Sequence, residues 1–408
     1  MTTKRLPAGW RWVQLDYLAS PEKYSIKRGP FGSSLRKELF VSAGYKVYEQ
    51  QHAIANDFNI GNYYITPELY EELIAFRVQP QDIIISCSGT IGRVGIVPPD
   101  AEPGIINQAL LKITLNQDVI IPAYFKLMFE SELTQKQLEA LSYGSGLKNV
   151  ASVSSLKQID FLLPPIGQQR EIVTLYQQQM QYVAQARAAA QVQLEAAQAL
   201  PAAYLRAVFN SPEAKKWSRY PLGEMCVIEA PLVDPKLPEY GVLPHVSGEN
   251  IESDTGCLRN IHSAAEDGMI SGKYLFDPGD VLYSKLRPYL RKVALAPFEG
   301  LCSADMYPIK VNREVLDPAF TVWMLLSDEF TNYANEESRR ARMPKLNRKQ
   351  LFSWYAPLPP LDHQIQLAEY LTNQIGHSKQ TVQMLTSQLE TIDNLPAAYL
   401  RQAFNGEL

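Results

Sequence analysis

Two stretches of the chain repeat apolar residues at the alternating three- and four-residue spacing of a coiled-coil helix. In the first, the inward-facing positions are Val173, Tyr176, Met180, Val183, Arg187, Ala190, Leu194 and Ala197, and in the second they are Ala368, Leu371, Ile375, Ser378, Val382, Leu385, Leu389 and Ile392. Only Arg187 and Ser378 interrupt the apolar seam. Both stretches are rich in helix-forming residues, so the pattern predicts two long helices.

A single amphipathic helix usually packs on the core of its own domain, and that alternative applies here too. Two matched seams in one chain favour mutual pairing, because each supplies the partner that the other lacks. We therefore predict an antiparallel coiled coil that separates two globular domains. About 30 residues at 1.5 Å each would make a rod of roughly 45 Å. Pro201 and Pro396 are expected to begin a second, short helix, since proline is tolerated in a first helical turn.

The two helices belong to an internal repeat of roughly half the chain. "LPPIGQQREIVTLY" from Leu163 matches "LPPLDHQIQLAEYL" from Leu358, 195 residues later, and "LPAAYLRAVFN" matches "LPAAYLRQAFN" at the same offset. Fainter matches precede them, such as "QPQDIIIS" with "DPGDVLYS". The repeat predicts a first domain at 1–163, helical regions at 164–210 and 358–408, and a second domain at 211–357.

The two variable fronts mix short β-rich runs, Gly/Pro turns and helical patterns. "DIIISCSGTIGRVGIV" has strand composition, and "AYFKLMFESELTQKQLEAL" has helical periodicity. We therefore predict two α/β (α+β) domains, joined by the long helices in a pseudo-two-fold tandem repeat.

Composition narrows the setting of the protein. The four cysteines among 408 residues have no CxxC spacing, which argues against a disulfide framework and a zinc site. No apolar run is long enough to span a membrane, and the first residues lack the apolar core of a signal peptide. A cytoplasmic protein is expected. The net charge of −4 means that any binding of nucleic acid must depend on local patches or on a partner.

Basic and polar side chains recur at comparable places in the two fronts. A short charged run is usually only a solvated face, but recurrence beside Gly/Ser loops also fits contact with phosphate. Arg93 is taken to match Arg291, and the cluster "RRARMPKLNRK" carries six cations without an acid. The candidate DNA contacts are Lys27, Arg28, Ser33, Ser34, Arg93, Lys148, Asn149, Lys285, Arg287, Arg291, Arg339, Arg340, Arg342 and Lys345, with Gln50, Gln51, His52, His245 and Asn250 suited to base edges.

Signatures of catalysis are missing from the sequence. It contains no Asn/Asp-Pro-Pro-aromatic tetrapeptide of an amino methyltransferase, no Walker loop, no HExxH and no GxSxG. Glu213 with Asp234 and Lys236 only faintly resembles a metal-dependent nuclease site, and Pro235 disfavours the strand that such a site needs. The five histidines are isolated. The chain is expected to bind and not to catalyse.

Several motifs together resemble the specificity subunit of Type I restriction-modification systems. They are "RGPFGSSLRKELF", "YKVYEQQHAI", "PQDIIISCSGTIGRVGIV" and "GIINQALLKI", followed by the "LPPIGQQ" helix and "LPAAYLR", with the helical parts repeated. The resemblance covers nearly the whole chain. The second front departs from it, since it has "SKLRPYLRKV" in place of the GPFGS and GTIG motifs.

The resemblance implies two target recognition domains that each bind one half of a split double-stranded DNA sequence. It also implies two modification subunits as partners, which would bind S-adenosylmethionine and methylate adenine N6, while this chain binds no cofactor. A restriction subunit with translocase and nuclease activity is a further partner that the resemblance allows. From the rod length and the turn of B-DNA, roughly 34–36 Å, we predict a gap of about five to eight base pairs between the half-sites.

Three other interpretations stay open on the sequence alone. The chain could be a scaffold that joins two proteins without binding DNA. It could be a recognition subunit with one decayed domain. It could also be a self-contained nuclease or methyltransferase, which the missing motifs disfavour.

Overall fold

The computed structural model describes residues 6–30, 34–88, 90–142, 153–339 and 344–404. The chain divides into two compact units. The first comprises 1–188 and 389–408, and the second comprises 189–388. Each unit contains one α/β domain and a segment of each long helix. The boundaries between the units therefore fall inside the helices, whereas the boundaries predicted from the repeat fall at the helix ends.

The first unit is built from short strands and helices that end in a long helix. In chain order its elements are β1 (Arg11–Gln14), α1 (Leu15–Leu18), β2 (Ile26–Arg28), β3 (Tyr45–Tyr48), α2 (Gln50–Ala55), β4 (Tyr64–Ile65), α3 (Pro67–Glu72), β5 (Ile83–Ser86), β6 (Val94–Ile96), β7 (Gly104–Ile106), β8 (Leu110–Ile113), α4 (Pro122–Glu130), α5 (Glu132–Ser142), α6 (Val153–Leu156), β9 (Asp160–Leu163) and α7 (Ile166–Phe209). An antiparallel sheet has the strand order β2-β8-β5-β6, and a smaller sheet has the order β4-β3-β7 with β3 and β7 parallel. Strands β1 and β9 pair antiparallel and bring the two ends of the domain together.

The apolar run at β5 is buried on both faces of its sheet. Ile83 and Ile85 belong to the same core cluster as Phe125 of α4, whereas Ile84 belongs to a second cluster with Ala53 of α2. Because helices cover both faces, the strand has a continuous apolar sequence and does not alternate with polar residues.

The second unit repeats this plan. Its elements are β10 (Ser218–Pro221), β11 (Cys226–Val227), β12 (Leu232–Val233), α8 (Pro238–Gly241), β13 (Pro244–Val246), β14 (His262–Ser263), β15 (Lys273–Phe276), β16 (Val281–Ser284), β17 (Val293–Leu295), β18 (Gly300–Cys302), β19 (Met306–Val311), α9 (Pro318–Leu325), α10 (Asp328–Ser338), α11 (Arg348–Phe352), β20 (Tyr355–Leu358) and α12 (Leu361–Phe404). The four-stranded sheet has the order β11-β19-β16-β17, which is the order of the first unit strand for strand. The other sheet gains β12 and β15 and becomes five-stranded, β12-β15-β18-β13-β14.

The two long helices have 44 residues each and pair antiparallel within each unit. In the first unit, Ile172 near the start of α7 shares a core cluster with Leu400 and Phe404 near the end of α12. In the second unit, Leu205 near the end of α7 shares a cluster with Leu371 near the start of α12. Each helix is about 66 Å long at 1.5 Å per residue, which exceeds the length predicted from the seam.

The prediction that Pro201 and Pro396 each begin a second, short helix was wrong. Both prolines lie inside continuous helices. A proline has no N–H, so the carbonyl four residues earlier loses its donor. For Pro201 that carbonyl belongs to Ala197, and it accepts a hydrogen bond of 2.9 Å from the Ser378 hydroxyl. Ser378 is only 3% exposed. The serine that interrupts the apolar seam therefore replaces the hydrogen bond that the proline removes.

Candidate nucleic-acid interface

Four strand ends meet at one place in the first domain. The Gly29 amide donates to Leu110 O at 2.9 Å, the Asn107 amide to Tyr48 O at 2.9 Å, and the Cys87 amide to Ala109 O at 2.8 Å. These bonds gather the residues that follow β2, β3 and β5 around the turn between β7 and β8. We call residues 29–30, 49–51, 86–88, 90–93 and 107–109 the first junction.

Gly29 is required by the close approach of two chain segments in the first junction. A Cβ atom at this position would lie 1.8 Å from the Asn107 carbonyl oxygen. No side chain can be accommodated at that distance without moving the backbone. The glycine of the "RGPFGS" motif therefore brings the loop that follows β2 against the β7–β8 turn.

The second domain builds the same arrangement from different residues. The Ser303 amide donates to Val246 O at 3.0 Å, as Asn107 does to Tyr48, and the Lys285 amide donates to Asp305 O at 3.1 Å, as Cys87 does to Ala109. We call residues 247–250, 284–287, 291–292 and 303–305 the second junction. The backbone is conserved between the two domains and the side chains are not.

The hydrogen bonds also correct one pairing made from the sequence. The Ser86 amide donates to Arg93 O at 3.0 Å, and the Ser284 amide donates to Lys292 O at 3.0 Å. Arg93 therefore corresponds to Lys292 and not, as predicted, to Arg291. The loop between β16 and β17 is one residue longer than its counterpart, and this shifts the match.

The second junction unites the two basic clusters that the sequence shows far apart. The Arg287 amide donates to Pro344 O at 2.9 Å and the Leu346 amide donates to Lys285 O at 3.0 Å, so residues 344–346 run alongside 285–287. Arg287 and Lys345 are exposed on this pair of segments. Burial lowers the pKa of Lys285, and the neighbouring cations Lys345 and Arg348 lower it further.

Two of the predicted phosphate contacts are instead tied into the second domain. The guanidinium of Arg291 forms ion pairs with Asp254 at 2.5 Å and Asp328 at 2.7 Å, and it donates to Leu326 O. Lys285 is 8% exposed, donates to Ala304 O and lies over the Tyr307 ring. Their charge is used inside the domain, which argues against the predicted phosphate contact for both.

His52 and Asn250 have the same structural role in the two domains. His52 is fully buried, accepts from the Glu49 amide at 2.9 Å through Nδ1, and contacts Ile60 O through Nε2 at 2.8 Å. Asn250 likewise accepts from the Ser247 amide at 2.8 Å. Both side chains cap the turn that follows β3 or β13, so neither ring nitrogen of His52 is free to contact a base.

His245 is also buried and does not present a base-reading edge. Its Nδ1 contacts Asp267 at 2.9 Å, and the same carboxylate contacts His262 at 3.2 Å. The hydrogen bond with His245, ahead of that with His262, lowers the pKa of Asp267. This cluster belongs to β13, β14 and the turn after them, and the first domain has no counterpart among its described residues.

The other candidates differ in their exposure. Ser34, Gln51, Arg93 and Arg339 are exposed, while Lys27, Arg28 and Gln50 are half-buried. Lys27 lies over the rings of Tyr24 and Phe76. Ser33, Lys148, Asn149, Arg340 and Arg342 lie outside the described residues.

Sequence reasoning missed one exposed member of these surfaces, Gln108 at the tip of the β7–β8 turn. Arg348, which begins α11 and is exposed, belongs to the basic cluster identified from the sequence but was not among the candidate contacts. A polar pair between two apolar strands was the signal available for Gln108. No local signal shows that residues 344–346 pair with 285–287, because the segments are far apart in sequence.

The predicted seam residues follow the helix faces that are turned away from solvent. Leu371, Ile375 and Ile392 are buried. The half-buried ones are Val173, Tyr176, Met180, Val183, Leu194, Val382, Leu385 and Leu389. By contrast, Met384 beside the seam is 73% exposed, and the interrupting Arg187 is exposed and pairs with Asp393 at 2.8 Å within the first unit.

The described residues contain neither a cluster of metal-binding side chains nor a membrane-spanning helix. No group of three or more His, Cys, Asp or Glu side chains in 6–30, 34–88, 90–142, 153–339 and 344–404 could hold a metal ion. No helix in the same ranges is long and apolar enough to cross a membrane.

Both halves of the chain match one family model. Residues 33–181 and 214–390 match the Type I restriction modification DNA specificity domain, and together they include both junctions almost completely. The chain belongs to this family. It therefore contains two target recognition domains of α/β type, which are connected by the long antiparallel helices α7 and α12.

Curated relatives match part of the chain. The specificity subunit of the Type I restriction enzyme EcoDI from Escherichia coli is 34% identical over 192 residues, which is 47% of this chain and 42% of that protein. The EcoBI specificity subunit from the same organism is 30% identical over 106 residues, which is 26% of this chain and 22% of that protein. The matches span less than half of the length of these relatives.

Solved structures share the fold over the whole chain. The HsdS subunit from Thermoanaerobacter tengcongensis has a TM-score of 0.69 and 21% identity, covering 100% of this chain and 99% of that one. A chain from a structure of the type I R-M system, described by its complex assembly and conformational transition, has a TM-score of 0.72 and 21% identity, covering 99% and 100%. At this identity the likeness establishes the fold.

Proposed function

We propose that this chain is the DNA-sequence-specificity subunit of a Type I restriction-modification complex. It binds a bipartite double-stranded DNA target through its two recognition domains and positions two modification subunits on it. The observation that supports this most strongly is the junction built twice, with one backbone hydrogen-bond pattern and two sets of side chains. A common scaffold with variable side chains is what recognition of two different half-sequences requires.

In the second domain, exposed cations would contact phosphate. Arg287 and Lys345 are neighbours through the pairing of 285–287 with 344–346, and Arg348 lies close by. Contacts of this kind hold a protein in register on DNA and make its affinity depend on salt. Arg339, Arg340 and Arg342 extend the basic sequence beside this segment.

In the first domain, amide side chains would contact base edges. Gln51 is exposed and its amide donates to Glu49 at 3.1 Å, which orients it, and Gln108 is exposed on the adjoining turn. Glutamine can bind adenine through two hydrogen bonds in the major groove. Arg93 and Lys27, with Ser34, would supply the phosphate contacts of this domain.

The long helices would set the distance between the half-sites and bind the partners. We expect a gap of about five to eight base pairs, from the seam of roughly 45 Å and the B-DNA turn. The modification subunits would bind S-adenosylmethionine and methylate adenine at N6, and a restriction subunit would complete a DNA-cleaving complex. The net charge of −4 is consistent with phosphate contacts shared with such partners. The complex would act in the cytoplasm.

A genome-wide map of modified bases, with and without this gene, tests the proposal. Loss of one split adenine motif on deletion is expected, and it would give both half-sites and the gap. An unchanged map in cells that contain the assembled complex would overturn the proposal. Insertion of four residues, about one helical turn, into both α7 and α12 should lengthen the gap.

A further inference from the structure

A buried glutamine joins the first recognition domain to its long helix. Gln169, in the first turns of α7, is 0% exposed. Its Oε1 accepts from the Ile121 amide at 2.9 Å, and its Nε2 donates to Val119 O and to Pro164 O, each at 2.9 Å. One side chain therefore binds the residue before α4, the loop leading to it, and the strand end before α7.

The second domain has the same contact at the equivalent position of the repeat. Gln364 is 0% exposed, accepts from the Asp317 amide at 2.9 Å, and donates to Val315 O and to Pro359 O, each at 2.9 Å. Asp317 caps α9, just as Ile121 precedes α4. We call each set of three hydrogen bonds a glutamine clamp.

The chemistry of the clamp requires an amide side chain of this length. It needs one acceptor and two donors on the same planar group, which glutamine provides and glutamate does not. The paired prolines before each helix favour an extended chain, so the carbonyls of Pro164 and Pro359 stay available to the clamp. Loss of the side chain would leave one buried N–H and two buried carbonyls without partners, which is costly away from water.

The clamp lies where the domain meets the helix, and outside the junction. We propose that Gln169 and Gln364 are positioning residues, which hold each recognition domain at a fixed angle on its long helix and so restrict the gap between half-sites that the complex accepts. This inference rests on the proposed function of the chain. A domain that pivots on its helix would reach DNA half-sites at neighbouring spacings, so clamp loss should widen the range of accepted gaps.

The test compares methylation by the assembled complex on DNAs with the native gap and with gaps one base pair shorter and longer. For Gln169→Met or Gln364→Met, the preference for the native gap should fall about tenfold, since an unsatisfied buried group shifts an equilibrium by about this factor. Activity on the native gap should change less. The double variant should combine both losses, because the two clamps share no partner.

Exposed glutamines on the same helices provide matched controls. Gln178→Met on α7 and Gln366→Met on α12 should leave the gap preference as it is in the wild type. Gln169→Asn is the milder variant for a case in which the Met variants do not assemble, because it keeps the amide but is too short to reach all three partners.

Failure of the clamp proposal and failure of the proposed function would give different results. A lowered melting temperature with unchanged gap preference, in the Met or the Asn variants, would show a purely structural role and overturn the proposal. A wild-type complex that methylates no split sequence would instead refute the proposed function.

Discussion

The two recognition domains share a backbone and differ in how they present charge. Their four-stranded sheets have the same strand order, and their junctions share three backbone hydrogen bonds, donated by the amides of Ser86, Cys87 and Asn107 in the first domain and of Ser284, Lys285 and Ser303 in the second. The second domain adds β12 and β15 to its other sheet and gathers exposed cations, whereas the described part of the first junction is formed mainly by amide and small side chains. Backbone pairing therefore fixes a common scaffold, and the exposed side chains that it carries differ between the two domains.

Two glycine substitutions should have the largest effects, and they test whether the parallel strands lie equally close together in both domains. Gly104 begins β7 and Gly300 begins β18, each beside a parallel strand. An added Cβ would lie 2.1 Å from Lys46 O at Gly104, and 2.7 Å from both Pro244 O and the Phe276 ring at Gly300. Gly104→Ala should lower the free energy of unfolding by about 3 kcal/mol and Gly300→Ala by about 2 kcal/mol.

Denaturant unfolding of the two variants measures this difference, and Gly167→Ala is the control. Apart from the neighbouring residues and backbone of its own helix, no atom lies within 4 Å of a Cβ at Gly167, so this change should raise stability by up to about 1 kcal/mol. Equal stability of Gly104→Ala and the wild type would mean that β3 and β7 can separate at little cost.

The next largest effect distinguishes the two arginines that the sequence suggests are equivalent. Arg291→Gln removes the partner of Asp254 and Asp328 and should cost about 2 kcal/mol, since the guanidinium is largely buried. Arg93→Gln changes an exposed side chain and should stay within about 0.5 kcal/mol. Thermal unfolding of both variants measures the contrast, and similar losses would show that Arg93 also has a structural role.

A smaller effect separates charge from base recognition. Arg287→Ala and Lys345→Ala should each weaken binding of the assembled complex to its target by about tenfold and lower the slope of log affinity against log salt by about 1. Gln51→Ala should alter the preferred bases of one half-site and leave that salt slope unchanged. Binding titrations at several salt concentrations measure both, with the exposed Lys236→Ala as a control.

An equal salt slope for wild type and Arg287→Ala would contradict phosphate contact in the second domain. A changed slope for Gln51→Ala would contradict the division of roles between the two junctions. Either result would make the domains more alike in chemistry than their exposed side chains suggest.

The smallest effect concerns how stability depends on pH at the five-stranded sheet of the second domain, which is larger than its counterpart in the first domain. Hydrogen bonding from His245 lowers the pKa of Asp267, so the ionised carboxylate stabilises the folded state above its ordinary pKa of 3.8. That contribution is lost as pH falls through the lowered value. The melting temperature of Asp267→Asn should therefore lie below that of the wild type at neutral pH, and the two should converge below pH 3.8. A constant difference at all pH values would exclude ionisation as the cause.

Periodicity and the repeat were sufficient to predict two α/β domains, two long helices and their antiparallel pairing, because these depend on local patterns that occur twice. They failed at Pro201, where helix propensity indicates a break. The hydrogen bond that sustains the helix comes from Ser378, far away in sequence, so no local pattern reveals it.

The candidate site was less predictable than the fold. Composition located the basic clusters, but burial decides which cations are exposed to solvent. Arg291 forms ion pairs inside the domain, whereas Arg287, four positions earlier, is exposed. His52 has a base-edge side chain and is used as a cap. Such assignments depend on tertiary neighbours, which a single sequence does not show.

The Ser378 hydrogen bond to Ala197 affects whether either repeat, produced alone, could pair with a second copy of itself. A homodimer of the first repeat alone would have Val183 at the place of Ser378, so the carbonyl opened by Pro201 would lack a donor. A homodimer of the second repeat would keep Ser378 on both chains, facing the carbonyl of Ile392 that Pro396 leaves open. Of the two repeats, only the second therefore has a serine hydroxyl at this position to offer to a copy of itself.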